Sequence, residues 1–313
     1  MTPPVLTPND TGLLERLTLS ADPAIIRPGA GGVWRTRGRG PGTEFYEFRP
    51  YQPGDDLRTV DWTVEARLHQ LVVRVPRAHG HLRVHVLVDV SASMSIGEPA
   101  KLTCAAQVAA AVCYMAARHR DAAGLSTFRD RVRSYMPPAE GRSQLLRILD
   151  TLATLEASGQ SRIDHALEHY ASASSGPGLA VVLSDFFEPG AGIRGLQYLL
   201  YRGLTPVVLQ VLAPEEIAPE LASDRELVDI ERPDGERLVV DAGVVSAYRA
   251  RLAQHEASLR EFCASHKCPI GRLVSDMPFP QIVGVSKAAE SSAPATCKRP
   301  CASTIPSRCS CSC

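Results

Sequence analysis

The chain has 313 residues, 44% of them hydrophobic and 22% charged, which suits one α/β domain of about 200 residues with an appended region and leaves ample apolar surface for a core. Its 34 Lys and Arg balance 34 Asp and Glu for a formal net charge of zero, which argues against a general nucleic-acid binder. No stretch approaches the roughly 18 apolar residues needed to cross a bilayer, and the first residues lack the charged-then-apolar pattern of an export signal, so the expected compartment is the cytoplasm.

In chain order, residues 1–20, with Pro3, Pro4 and Pro8, are expected to be a flexible terminus. Residues 21–82 form a distinct segment. Arg35-Thr36-Arg37-Gly38-Arg39-Gly40 leads into Glu44-Phe45-Tyr46-Glu47-Phe48-Arg49-Pro50-Tyr51-Gln52-Pro53-Gly54-Asp55-Asp56, followed by Arg58, Asp61-Trp62, Ala66-Arg67 and Val72-Val73-Arg74. The glycines around Arg37 suggest a mobile surface loop. Pro53-Gly54-Asp55-Asp56 is turn chemistry. Arg49, Arg58 and Arg67, interleaved with Asp55, Asp56 and Asp61, are expected to form bidentate ion pairs that clamp the segment. His79, His81 and His85 share one strand parity and read as exposed edge histidines.

From Arg83 the pattern alternates strand and helix, and residues 83–283 are expected to form one α/β domain. The apolar run Val84-His85-Val86-Leu87-Val88 reads as a strand. Leu102, Ala105, Ala109, Val112 and Ala116 recur at helical spacing behind Pro99. Helices are expected around Ser143–Leu155 and Arg162–Ala173, a buried strand over Leu179–Leu183, a helix near Ile193–Tyr201 and another strand over Pro206–Val211. Glu226 to Val240 reads as a hairpin around Pro233-Asp234-Gly235, and Val245, Tyr248, Leu252, Leu259 and Phe262 mark one face of a long helix. Such alternation predicts a mostly parallel sheet covered on both faces. Nine acids, from Glu215 to Glu236, crowd a stretch with only two arginines and read as a solvated face.

Two strands end in chemistry. Asp89-Val90-Ser91-Ala92-Ser93 follows the first apolar run, Ser184-Asp185 ends the run over Leu179–Leu183, and the polar loop Ser158-Gly159-Gln160-Ser161 opens a helix between them. Ligands of open α/β sheets collect beyond the carboxyl ends of strands. Two carboxylates with three hydroxyls are an all-oxygen set of the kind Mg²⁺ takes, and neutral hydroxyls leave the ion able to accept one more anionic ligand.

These residues give the chain a resemblance to two families. Asp89, Ser91, Ser93, Ser161 and Asp185 look like the metal-ion-dependent adhesion site of a von Willebrand factor type A domain. That family usually has a threonine followed by an acid in the middle loop; here Ser161 keeps the hydroxyl and Arg162 replaces the acid. The segment from Arg35 to Arg74 is similar to the signature of the bacterial domain of unknown function 58 family, which carries such a stretch before a von Willebrand type A fold. The resemblance implies that Ser91 and Ser93 bind a Mg²⁺ or Mn²⁺ ion directly, while Asp89 and Asp185 bind it or orient its waters. It also implies a non-enzymatic role in which an acidic side chain of a protein partner completes the metal site. The implied partner is a MoxR-type AAA+ ATPase, in a chaperone or complex-maturation setting.

The competing class is a metal-dependent hydrolase, a phosphoesterase or a peptidase. His165-Ala166-Leu167-Glu168-His169 formally matches the H-x-x-E-H zinc-peptidase pattern, but without an assigned downstream ligand it reads as exposed histidines on an amphipathic helix. Asp89 resembles the nucleophile of haloacid-dehalogenase phosphotransferases. Ser91, however, stands where those enzymes place their acid/base, and a serine cannot transfer that proton at neutral pH. The stretch 284–313 holds Cys297, Cys301, Cys309, Cys311 and Cys313 at spacings too tight for a clean zinc set, and is expected to be a disordered tail. Cys104, Cys113, Cys263 and Cys268 read as buried or partly buried thiols.

Overall fold

The computed structural model describes residues 46–68, 70–76, 82–174, 176–188, 190, 192–219, 226–231, 237–239 and 242–282, besides Gly12. The expected flexible terminus (apart from Gly12), the Arg35–Gly40 stretch, His79, His81, the Pro233–Gly235 turn and the five late cysteines lie outside the described residues.

The first strands, β1 (Tyr46–Pro50) and β2 (Val72–Pro76), pair antiparallel around a short helix α1 (Trp62–Leu68). The aspartates of this segment cap backbone. Asp55 accepts from Gln52 N at 2.9 Å, Asp56 from Arg58 N at 3.0 Å, and Asp61 from Thr63 N at 3.0 Å, which starts α1. Short acidic side chains suit such positions because they satisfy the unpaired N–H groups that open a turn.

The main sheet is built from β3 (Arg83–Asp89), β4 (Ala122–Phe128), β5 (Val132–Ala139), β6 (Gly178–Ser184), β7 (Leu204–Leu212) and β10 (Ile270–Val274), in the order β10-β7-β6-β3-β4-β5. Every neighbouring pair is parallel except β4 with β5. The mostly parallel, doubly covered sheet expected from the alternation is therefore present. Its connections are α2 (Lys101–Arg118), α3 (Arg142–Ala153), α4 (Ile163–Ala173), α5 (Ile193–Tyr201), a single turn α6 (Pro214–Ile217), the two-residue pair β8 (Glu226–Leu227) and β9 (Leu238–Val239), and the long α7 (Ala242–His266).

Strand periodicity separates two cores. Val84, Val86 and Val88 of β3 pack with Leu102, Ala105, Ala109 and Val112 of α2 and Ile148 of α3. On the other face Leu87 joins Ile163 and Leu167 of α4, Leu196 of α5 and Leu259 and Phe262 of α7. The alanines of α2 let its backbone lie close to the sheet. Gly195 does the same between α5 and α4, where an added Cβ would stand 2.7 Å from Leu167 Cβ.

His85 corrects the edge-histidine expectation: it is 1% exposed, and its Nδ1 shares a 2.6 Å hydrogen bond with the Tyr170 hydroxyl. Cys104, Cys113, Cys263 and Cys268 are all buried and form no disulfide among the described residues. Burial pushes Cys104, Cys113 and Cys263 up to about 12, far from nucleophilic thiolates.

Candidate metal centre

The sheet order creates a crevice. From β3 the chain crosses through α2 to β4 on one side, and from β6 it crosses through α5 to β7 on the other. The ends of the adjacent strands β3 and β6 thus face diverging connections, which is where open α/β sheets bind ligands. Val88 is level with Leu183 in the register, so Asp89 stands beside Ser184 at that opening.

Asp89 is fully buried and heavily engaged. Its Oδ1 accepts from Ser91 N at 2.9 Å, and its Oδ2 accepts from Ser184 Oγ at 2.7 Å and from Ser161 Oγ at 3.4 Å. Ser91 Oγ and Ser93 Oγ lie 3.1 Å apart. The Ser161 loop is stitched to the Ser91 loop by two backbone bonds, Ser158 N to Val90 O and Ala92 N to Gly159 O, each 2.8 Å. Its far end is fixed where Arg162 N donates to Arg129 O at 3.0 Å and the Glu188 carboxylate caps Ile163 N, starting α4. Asp89, Ser91, Ser93 and Ser161, separate in sequence, form one contiguous set.

The fifth residue, Asp185, is 2% exposed and differently occupied. Its Oδ2 accepts from Lys101 Nζ at 2.8 Å and its Oδ1 from Phe187 N at 3.2 Å. Burial raises the Asp89 pKa, and the nearby Asp185 charge raises it further. Lys101 was not singled out from the sequence. It is fully buried at the first turn of α2 and also donates to Glu216 Oε1 at 2.6 Å. Burial alone would lower its pKa; the Asp185 and Glu216 carboxylates outweigh that and hold it above its ordinary value. Glu216 and Glu231 both belong to the acidic stretch expected to be a solvated face, yet both turn toward this centre: the Glu231 carboxylate accepts from Ser161 N at 2.9 Å.

Phe186 adopts φ 59° although it is not glycine, is 1% exposed, and donates its N–H to Ser184 Oγ at 3.0 Å. A left-handed bulky residue costs about 1–2 kcal/mol, and such strain gathers at functional sites. Here it aims Ser184 at Asp89 while Asp185 turns to Lys101.

The donor set suits a hard cation. Neighbouring ligands of an octahedral ion with bonds of 2.0–2.1 Å are separated by about 2.9 Å, close to the 3.1 Å between the Ser91 and Ser93 hydroxyls. Among the described residues no group of three His, Cys, Asp or Glu side chains could hold a metal, so an ion here depends on hydroxyl and water oxygens. That excludes the nitrogen and sulfur sets zinc prefers. His165 and His169 are exposed, and Glu168 between them pairs with Arg194 at 3.1 Å.

The fold and this crevice define a doubly wound α/β protein with an oxygen-lined opening at its switch point. Residues 47–261 match the family described as "Protein of unknown function DUF58", and the chain belongs to that family. It is 30% identical over 243 residues to the uncharacterized proteins Rv1480 of Mycobacterium tuberculosis and Mb1516 of Mycobacterium bovis, an alignment covering 75% of this chain and 72% of theirs. Similar solved structures include BatB from Bacteroides thetaiotaomicron, at 17% identity and a TM-score of 0.43 over 66% of this chain and 96% of that one. An aerotolerance-related membrane protein from Bacteroides fragilis matches at 16% identity and a TM-score of 0.43, over 66% of this chain and 98% of that one. Among the described residues no helix is long and apolar enough to cross a membrane.

Proposed function

We propose that this chain is a divalent-cation-dependent protein-binding domain of the von Willebrand factor type A kind, acting without turnover. The observation that carries the reading is the Ser91–Ser93 hydroxyl pair, 3.1 Å apart beside a buried Asp89. Ser91 and Ser93 hold a Mg²⁺ or Mn²⁺ ion, and Ser161 stands on the same rim. When bound, the ion supplies a Lewis-acidic position for one carboxylate of a partner. Asp89 and Asp185 act through their charge and the waters they orient, since both oxygens of each already accept hydrogen bonds.

The partner in this reading is a MoxR-type AAA+ ATPase, in a chaperone or complex-maturation role in the cytoplasm. It comes from the likeness of the Arg- and Asp-rich segment and the adhesion-site residues to proteins of that kind. The hydrolase alternative is weaker on chemical grounds. An in-line nucleophile needs a free oxygen, whereas Asp89 is fully bonded, and Ser91 is no acid at neutral pH.

The test is calorimetric titration of Mg²⁺ and Mn²⁺ into the wild type, Asp89→Ala and Ser93→Ala, followed by ATPase capture with and without chelator. The variants are expected to lose at least about tenfold in metal affinity, some 1.4 kcal/mol, and capture should disappear with chelator. Hydrolysis of phosphate esters or peptides that is abolished in Asp89→Ala would instead make the protein an enzyme.

A further inference from the structure

Next to the metal centre lies a cavity of about 490 Å³ lined by Arg129, Arg131, Arg133 and Arg162, with His165, Asp130, Gly159 and Gln160. Four guanidinium groups face one carboxylate. Asp130 is already taken by Arg133 at 2.8 Å and by Arg129 at 3.5 Å. Arg131 and Arg162 are exposed and form no direct ion pair among the described residues, though the Arg131 charge is felt by Asp130 and the Arg162 charge by Glu188. Arg129 Nη1 holds the Ser158 carbonyl and hydroxyl at 3.0 and 2.8 Å, fixing that wall of the cavity to the loop it shares with the metal centre. A neutral protein that gathers four arginines in one concavity with a single lining carboxylate focuses its field on anions, and guanidinium forks match carboxylates in geometry.

The second observation names the anion. Gln160 and Arg162 line the cavity, and between them the Ser161 N–H holds the Glu231 carboxylate at 2.9 Å while Ser161 Oγ reaches Asp89. A carboxylate from an acidic stretch therefore already rests at the junction of the cavity and the metal centre, 70 residues away in sequence from the backbone that holds it. Glu231 is followed and preceded by further acids, Asp229, Asp234 and Glu236. The junction selects acidic peptide chemistry from within this chain itself.

We propose that the arginine cavity and the Ser161 loop form a docking groove for an acidic peptide segment of the partner, and that Glu231 occupies the place of one of its carboxylates until displaced. The proposal rests on the protein-binding reading above, because it names the chemistry of the partner that the same opening receives. One acid of the segment reaches the cation position; its neighbours pair with Arg131 and Arg162. Glu231 competes, so the unliganded site is partly self-satisfied and captures only segments with several acids.

The experiment measures binding of fluorescein-labelled octaglutamate to the full chain by anisotropy in Mg²⁺, with octaglutamine as control and inorganic phosphate as competitor, alongside Mg²⁺ calorimetry. An Arg131→Ala/Arg162→Ala variant should bind octaglutamate about tenfold more weakly with a shallower salt dependence, while its Mg²⁺ isotherm stays that of the wild type. Glu231→Gln should bind about threefold more tightly as the internal competitor loses its charge. An arginine variant with unchanged peptide affinity, or a Glu231→Gln protein that binds no more tightly, would overturn the proposal. So would displacement of the peptide by micromolar phosphate, which would make the cavity a phosphate site. A wild type that ignores Mg²⁺ yet binds octaglutamate through these arginines would support the groove and sink the metal reading alone.

Discussion

Replacing Lys101 with methionine preserves its helix propensity and its apolar stem but strands two carboxylates, Asp185 and Glu216, whose shared ammonium lies 2.8 and 2.6 Å away. Removing one partner of a buried pair typically costs about 3–5 kcal/mol, so Lys101→Met should lower the urea midpoint sharply, and less so at acidic pH, where the Glu216 carboxyl, raised by its burial, takes up a proton. His85 gives a second test. Burial, helped by the Arg83 guanidinium, holds its imidazole down to about 4. The unfolded imidazole takes its proton near 6.5, so between there and 4 the unfolded chain binds more protons and stability falls as the pH drops, levelling off below 4. The loss amounts to about 3 kcal/mol. Urea midpoints at several pH values should show this slope in the wild type and lack it in His85→Gln, whose amide keeps a partner for Tyr170. At this scale the hydroxyls of the candidate site and Asp89 are legible in the sequence because each sits at a strand end or in a short polar loop. Lys101, Glu216 and Glu231 are not, because their contacts span 84, 115 and 70 residues, and no local period marks them.

Among the elements, β3, β6 and β7 announce themselves as apolar runs, and α2 as a helix by its alanine and leucine spacing. The pair β4 and β5 does not. β4 reads Ala-Ala-Gly-Leu-Ser-Thr-Phe, small residues where a buried strand usually shows branched ones. β5 carries two consecutive prolines, which normally demote a segment from strand; they are tolerated because β5 is the sheet edge and its pairing with β4 is interrupted there by a register shift between Ala123 and Leu125. The acidic stretch misleads for another reason: two of its members find fixed hydrogen-bond donors in Lys101 and Ser161, which composition cannot reveal. The contact between α4 and α5 offers the prediction proper to this scale. Gly195→Ala would press a methyl to within 2.7 Å of Leu167 Cβ and 3.1 Å of the Asp164 backbone. A loss of about 1–3 kcal/mol is expected from such overpacking, read from thermal or urea unfolding.

For the molecule as a whole, the opening between β3 and β6 exists because the chain winds away from it in both directions, and the two apolar cores hold that sheet rigid from either face. Stability therefore resides in packing and only secondarily in a ligand. Saturating Mg²⁺ at a hundredfold above its dissociation constant should add about 2.7 kcal/mol to the unfolding free energy, while chelation returns the protein to that baseline without melting it. Circular dichroism with and without chelator checks both. Lys101 gives this expectation its electrostatic basis. An ammonium carried on a covalent side chain cannot be dialysed out, so with or without a divalent ion the wall beside Asp185 keeps one positive charge.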